Sequence, residues 1–271
     1  MLKECLENVR EKGPLVHCIT NHVTINDVAN IILACGGSPI MAESALDAHE
    51  IVKICDGLTI NIGNIDGQKA MMLAGKKAKE LEIPRVLDCV GVGASSFRTA
   101  LAKTLMDEID FTVIKGNASE IKSFILGTGE TQGVDASDKD MVCEENIDEN
   151  VKICQDFSKK KGTIVLMTGP IDVITSADQS YIVRNGREEM TKVTGTGCSL
   201  SGLLTAFLAA NPKEPLKATL AATCAMGLAG EVGYGYLKEH EGNATYRNRI
   251  IDGIYGMTGE QLEKEAKYES R

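Results

Sequence analysis

Tryptophan is absent from the 271 residues, and five phenylalanines and six tyrosines supply all the aromatic rings. So few rings suggest neither a base-stacking surface nor a flat carbohydrate platform. No C-x-x-C pair occurs either. The nine cysteines are odd in number, irregularly spaced and mostly set in apolar runs, as are Cys18, Cys35, Cys55 and Cys224. Free cysteine in such runs acts as a small hydrophobe, so neither a disulfide framework nor a cysteine zinc site is expected. No apolar stretch approaches ~18 uninterrupted residues, and the start, Met1-Leu2-Lys3-Glu4-Cys5, has no signal-peptide core. The expectation is a reduced, cytoplasmic protein with no membrane partner. Nucleotide signatures are missing too: there is no G-x-x-x-x-G-K-[ST] loop and no protein-kinase signature set. Gly91-Val92-Gly93 lacks the third glycine of a dinucleotide fingerprint, which disfavours a dehydrogenase.

What is present is 43% apolar residues, enough for a substantial core, and a formal net charge of −9 that argues against nucleic acid. A phosphorylated ligand stays open, because a local site can oppose the global charge. Strand-like and helix-like segments alternate. A helix over 2–12 stops at Gly13-Pro14, then come a strand at 15–19, a helix at 25–35 and an extended piece at 38–41. Strands at 57–62, 85–88, 111–115 and 163–168 alternate with helices at 66–81, 95–109, after 116–120 and at 148–160. A polar, acidic excursion covers 128–150, and a hairpin joins 172–175 to 181–184. Helices follow at 199–210, 215–238 and 245–256, with a charged, solvent-exposed tail from about 259. This rhythm predicts one α/β domain over 1–271 with a mostly parallel central sheet and helices on both faces. Ligands bind such sheets beyond the carboxyl ends of the strands.

The organising stretch is Val193-Thr194-Gly195-Thr196-Gly197-Cys198, a tight loop feeding a buried apolar helix. A helix start carries unpartnered amides and partial positive charge, and glycine lets a ligand approach the backbone, so the loop is suited to anionic oxygens. Cys198, at the junction, stands where a thiol pKa is lowered. The same residues also suit a helix packed closely on a sheet, with Cys198 in the core. Asp88 ends a strand before a glycine turn, as ligand-binding acid or as cap. Asn117 and Glu120 have N-cap and N3 spacing, which suits a structural cap, while the acid could hold water on a cation such as Mg²⁺. Lys115 could neutralise polyphosphate or lie on the surface, and Thr168 could touch phosphate or close a turn. Together, cradle, base and acids fit phosphoryl transfer, which needs positioning and charge stabilisation above all.

At these residues the chain resembles the hydroxyethylthiazole kinases of the ribokinase-like fold. The resemblance is carried by Val16-His17-Cys18-Ile19-Thr20-Asn21, Ser38-Pro39-Ile40-Met41-Ala42, Val90-Gly91-Val92-Gly93-Ala94, Lys115-Gly116-Asn117-Ala118-Ser119-Glu120 and Thr194-Gly195-Thr196-Gly197-Cys198. It spans nearly the whole chain and implies a three-layer ribokinase-like sandwich. The activity it implies moves the γ-phosphoryl of ATP to the primary alcohol of 4-methyl-5-(2-hydroxyethyl)thiazole, feeding thiamine synthesis. It also implies a homotrimer with the alcohol site at a subunit interface.

Residue by residue, the resemblance places Met41 and Gly195 at the thiazole, and Lys115, Thr168, Gly197 and Asn117 on the ATP side. Asp88 and Glu120 look like the acids that organise Mg²⁺, directly or through water. Cys198 stands where ribokinase relatives carry an Asp base. Lys115 replaces a common Arg, trading a planar fork for a point charge. Cys89 replaces a usual Pro, which would loosen the turn after Asp88. Rival readings are a sister kinase for a pyrimidine alcohol or a sugar, a non-enzymatic binder of thiazole or nucleotide, and a hydrolase or dehydratase using the same cradle.

Overall fold

The computed structural model describes residues 1–127, 131–132, 135–136 and 141–271, the two short pieces by their backbone only. In chain order the elements are α1 (Leu2–Lys12), β1 (Leu15–Ile19), α2 (Ile25–Cys35), β2 (Ser38–Ile40), α3 (Ala48–Ile51), β3 (Gly57–Asn61), α4 (Gln68–Glu80) and β4 (Arg85–Asp88). Next come α5 (Ser96–Ile109), β5 (Val113–Asn117), α6 (Ala118–Leu126), β6 (Thr131–Gln132), β7 (Asp135–Ala136), α7 (Ile147–Lys161) and β8 (Ile164–Thr168). The chain ends with β9 (Asp172–Thr175), β10 (Ser180–Val183), α8 (Thr196–Ala210), α9 (Pro215–Gly235), α10 (Asn243–Gly256), α11 (Gly259–Glu265) and β11 (Tyr268–Ser270).

One sheet runs β11-β10-β9-β8-β5-β4-β3-β1-β2, and β6 and β7 form a two-stranded sheet. From β2 to β8 the strands are parallel, while β9, β10 and β11 add an antiparallel edge. The side-chain period of two divides the core into two layers. On β4, Val86 faces the layer of α1, α2, α8 and α9, while Leu87 faces that of α4, α5 and α6. On β8, Leu166 takes the first side, and Val165 and Met167 take the second. This is the expected mostly parallel sheet with helices on both faces.

Parallel register brings the carboxyl ends of the central strands level. Asn61 pairs with Asp88, Asp88 with Lys115, and Asn117 with Thr168. Helix α8 lies close over β3 because small residues meet there. Thr59 and Thr205 share a 2.6 Å hydrogen bond, and a Cβ on Gly57 would stand 2.8 Å from Thr205 Cγ2. That contact aims the start of α8 at the strand ends.

The tail from about 259, expected in solvent, is instead folded. Thr258 caps α11 by accepting the Gln261 amide at 3.1 Å, and Leu262 is fully buried. Lys3 pairs with Glu260 at 2.6 Å, and β11 extends the sheet against β10. Two apolar anchors, Leu262 and Tyr268, outweigh the charge around them, because the charged side chains need only keep their heads in water. Short elements without clear periodicity also went unforeseen: α3, and the 3₁₀ turns Val52–Ile54 and Glu188–Lys192. Much of the excursion expected over 128–150 lies outside the described residues, as does any lid role for it.

Candidate active site

The loop before α8 is built for close approach. Gly195 has φ 85°, and a Cβ there would lie 2.5 Å from Thr24 Cγ2, so the position requires glycine. Gly195 is also the N-cap of α8 and supplies no side-chain acceptor. The first intrahelical bond at this end is the Ser199 amide to the Gly195 oxygen, 2.8 Å. The amides of Thr196, Gly197 and Cys198 precede it, at the positive end of a 15-residue helix. That is the chemistry of an oxyanion cradle.

Beneath the cradle lies a buried ionic group. Lys115 Nζ donates to Asp88 Oδ1 at 3.0 Å and to the Gly197 main-chain oxygen at 2.9 Å. Asp88, wholly inaccessible, also accepts Asn61 Nδ2 and Ser201 Oγ, each at 2.8 Å. Burial opposes the Lys115 charge, but Asp88 foremost, with Cys198 and Glu120, lifts its pKa above the ordinary lysine value. The ammonium therefore stays charged.

Glu120 forms both halves of a capping box with Asn117. Its Oε2 accepts the Asn117 amide at 2.8 Å, and its own amide donates to Asn117 Oδ1 at 2.9 Å. The other oxygen, Oε1, accepts the Gly91 amide at 2.8 Å, reaching across to the turn after Asp88. That turn is further closed by the Val92 amide on the Cys89 oxygen at 3.0 Å, and Cys89, fully buried, donates its own amide to the Lys115 oxygen at 2.8 Å. Burial, aided by Asp88, pushes the Glu120 carboxyl up to about 7 against the pull of the Gly91 and Asn117 amides.

Cys198 is partly exposed at the cradle's rim, and its sulfur accepts Asn21 Nδ2 and Asn61 Nδ2, each at 3.2 Å. The thiol pKa was expected to be lowered by the helix start; it is raised instead. Burial and then Asp88 outweigh Lys115 and the Thr24 and Asn21 side chains. Desolvation and a neighbouring negative charge both disfavour the thiolate, and here they exceed the pull of the helix start.

The expected residues thus fall into groups. Asp88, Lys115, Gly197 and Cys198 are joined through hydrogen bonds, with Glu120 and Asn117 alongside at the Gly91 turn. Thr168, at the end of β8, donates to the Gly116 oxygen at 3.3 Å, and Gly195 abuts Thr24. Met41 stands apart from the bonded group, half-buried just past β2, in a segment held by His17 Nε2 on the Ala42 oxygen at 2.6 Å. Asn61 and Ser201 were not anticipated, and Asn21 entered only as part of a motif. Asn61 could have been found, because a strand-final polar residue beside Asp88 ends the neighbouring parallel strand. Ser201 carries no such signal, being one small residue in an apolar helix.

No helix among the described residues is long and apolar enough to cross a membrane. The model of the hydroxyethylthiazole kinase family matches residues 6–260. The chain is 50% identical to the hydroxyethylthiazole kinase of Clostridium acetobutylicum over 272 residues, covering 100% of both chains. It is 41% identical to that of Clostridium tetani over 97% of this chain and 95% of the relative. Its fold superposes with TM-score 0.88 on a hydroxyethylthiazole kinase protein from Pyrococcus horikoshii, at 33% identity and covering 100% and 98% of the two chains. Pyridoxal kinase from Staphylococcus aureus, at 14% identity and TM-score 0.62 over 95% and 97%, shares the fold alone. With the cradle, the buried Lys115–Asp88 pair and the rim thiol all present within the matched residues, the chain belongs to the hydroxyethylthiazole kinase family.

Proposed function

We propose that this chain transfers the γ-phosphoryl group of ATP to the primary alcohol of 4-methyl-5-(2-hydroxyethyl)thiazole, in thiamine biosynthesis or salvage. The observation that carries the chemistry is the uncapped start of α8, with Lys115 tied to Gly197 beneath it. Phosphoryl transfer runs through a loose transition state whose charge spreads over the phosphoryl oxygens. Fixed amides aimed at those oxygens stabilise that charge without reorganising during reaction.

In this reading the amides of the Gly195–Cys198 turn, that of Gly197 among them, grip the migrating group, and Lys115 balances its charge. Asn117 and Thr168, at the ends of neighbouring strands, contact the nucleotide. Met41 and Gly195 bound the thiazole. Cys198 receives the alcohol and accepts its proton late, after the bond to the leaving group has largely broken.

Mg²⁺ fits through its water shell. No group of three or more His, Cys, Asp or Glu side chains among the described residues forms a metal cage. Mg²⁺ needs only one or two carboxylates beside phosphate oxygens and water. Glu120 has two amide donors for roughly four lone-pair sites, and burial holds its pKa near 7, so a neighbouring cation suits it. Glu120 would accept hydrogen bonds from that water, and Asp88, closed off by Lys115, Asn61 and Ser201, would act on the ion through its charge; the ion would neutralise phosphate charge. Also within the proposal are a single domain over 1–271, a cytoplasmic location, and a homotrimer that completes the alcohol site at a subunit interface.

The test is turnover with ATP and Mg²⁺ across a panel of thiazole, pyrimidine and sugar alcohols. Preferential phosphorylation of the thiazole alcohol is expected. Selective phosphorylation of a pyrimidine or sugar would overturn the substrate assignment, and no turnover with any alcohol would overturn the activity.

A further inference from the structure

Asn61 closes β3 in register with Asp88 and is wholly buried. Its carboxamide has one orientation. Oδ1 accepts the Gly63 amide at 2.9 Å, which turns the NH₂ group toward two acceptors, Asp88 Oδ2 at 2.8 Å and Cys198 Sγ at 3.2 Å. Each of its two hydrogens has its own acceptor. We propose that Asn61 is the positioning residue for Cys198, tying the sulfur to the Asp88 carboxylate so that its remaining side faces the acceptor alcohol. This rests on the reading of Cys198 as the group that receives the alcohol.

Two arguments separate this role from mere satisfaction of a buried acid. Asp88 already accepts Lys115 Nζ and Ser201 Oγ, so a donor for it alone need not also reach the sulfur. A neutral sulfur is a weak acceptor, yet a second carboxamide, Asn21, is spent on it as well. Asn21 is itself oriented, its Oδ1 accepting Thr24 Oγ1 at 3.1 Å. The convergence also constrains the backbone. A Cβ on Gly63 would fall 2.8 Å from Asn61 Oδ1 and 3.0 Å from Asn21 Cβ, so this position keeps the two amides together.

The experiment pairs kinetics with chemical labelling. Asn61→Leu keeps the side chain's size and removes both donors. In the natural background it is expected to lower kcat about tenfold, with KM for ATP within about twofold, the mark of an interaction made at the reacting end. In a Cys198→Ala background the same substitution is expected to change kcat by less than about twofold, because partners in one network are not additive. Equal losses in both backgrounds would overturn the proposal and assign Asn61 to Asp88 alone.

Labelling reads the sulfur without turnover. The rate at which iodoacetamide modifies the Cys198 peptide, followed by mass spectrometry, is expected to fall about fivefold in Asn61→Leu, since a hydrogen bond to the charged form stabilises it. Ser201→Ala, which removes a donor from the same Asp88 oxygen but none from the sulfur, is expected to leave that rate unchanged. A rate unaffected in Asn61→Leu, or equally slowed in Ser201→Ala, would overturn the proposal. Should Asn61→Leu not fold, Asn61→Ser keeps one donor and is read the same way. If the natural protein phosphorylates no thiazole alcohol, the proposed function fails while the labelling result still stands.

Discussion

Lys115 and Gly197 are joined by a 2.9 Å hydrogen bond that crosses from the end of β5 to the first turn of α8. The same ammonium holds Asp88 at 3.0 Å, so one side chain ties the floor of the site to its anion cradle. Lys115→Met is therefore expected to do two kinds of damage. It leaves the fully buried Asp88 without its counter-charge, and removing one member of a buried pair costs about 3–5 kcal/mol. It also frees the Gly197 carbonyl, so whatever protein folds should show a raised KM for ATP. Urea unfolding followed by steady-state kinetics measures both.

The two loop glycines are expected to fail differently. Gly195→Ala forces a side chain into a left-handed conformation at about 1–2 kcal/mol. It also drives a methyl against Thr24, 2.5 Å from its Cγ2. The expected result is lost stability, read as a lower midpoint in thermal unfolding. Gly197 is helical, and a Cβ there meets only Lys115 Nζ, at 3.2 Å. Gly197→Ala should fold and lose turnover, because the methyl crowds the Lys115 ammonium beneath the cradle. Equal stability of the two variants would contradict this division.

How much of this was legible beforehand depended on whether the signal was local. The alternation of strands and helices, Gly13 as a stop, and the Asn117–Glu120 box are all short-range, and most elements formed close to where their residues indicated, though β5 runs Val113–Asn117 and α8 begins at Thr196. Consecutive strands of a parallel sheet usually lie side by side, so Asp88 beside Lys115 could be anticipated. The α11–β11 tail could not, since Leu262 and Tyr268 gain their burial from α1 and β10, far away in sequence. Nor could the Cys198 environment. Helix position alone argued for a lowered thiol pKa, whereas the deciding neighbours, Asp88 and the enclosing walls, come from other elements. Asn61 lay between these cases, at a visible strand end but with its purpose set by a sulfur 137 residues away.

Glu120 offers a pH test with a definite sign. Burial raises its folded pKa from an ordinary 4.5 to about 7. The acid thus favours the folded state fully below pH 4.5, and that contribution fades as pH rises through 7. Stability of the ligand-free protein should decline over this window, and Glu120→Gln should flatten the decline. Near neutral pH part of the population carries this proton, so arrival of Mg²⁺ with ATP should expel protons. Titration calorimetry in two buffers of different ionisation enthalpy measures that release, which Glu120→Gln should abolish.

The last expectation concerns the rim thiol itself. Burial and Asp88 keep the Cys198 pKa above its ordinary value, so the thiolate is a minor species at neutral pH. If that species takes the alcohol's proton, kcat should climb as pH rises above neutrality and the thiolate fraction grows. A carboxylate at the same place is already ionised at neutral pH and can accept the hydrogens that Asn21 and Asn61 now give the sulfur. Cys198→Asp should therefore match or exceed the natural turnover near pH 7 and lose the alkaline climb. Cys198→Ala, with the cradle intact and a loose transition state needing little proton abstraction, should retain turnover reduced by no more than about a hundredfold. A pH–rate profile of the three proteins from pH 6 to 10 decides the matter. Inactive Asp and Ala variants that remain folded would mean that the sulfur does something neither a late proton acceptor nor a positioning contact accounts for.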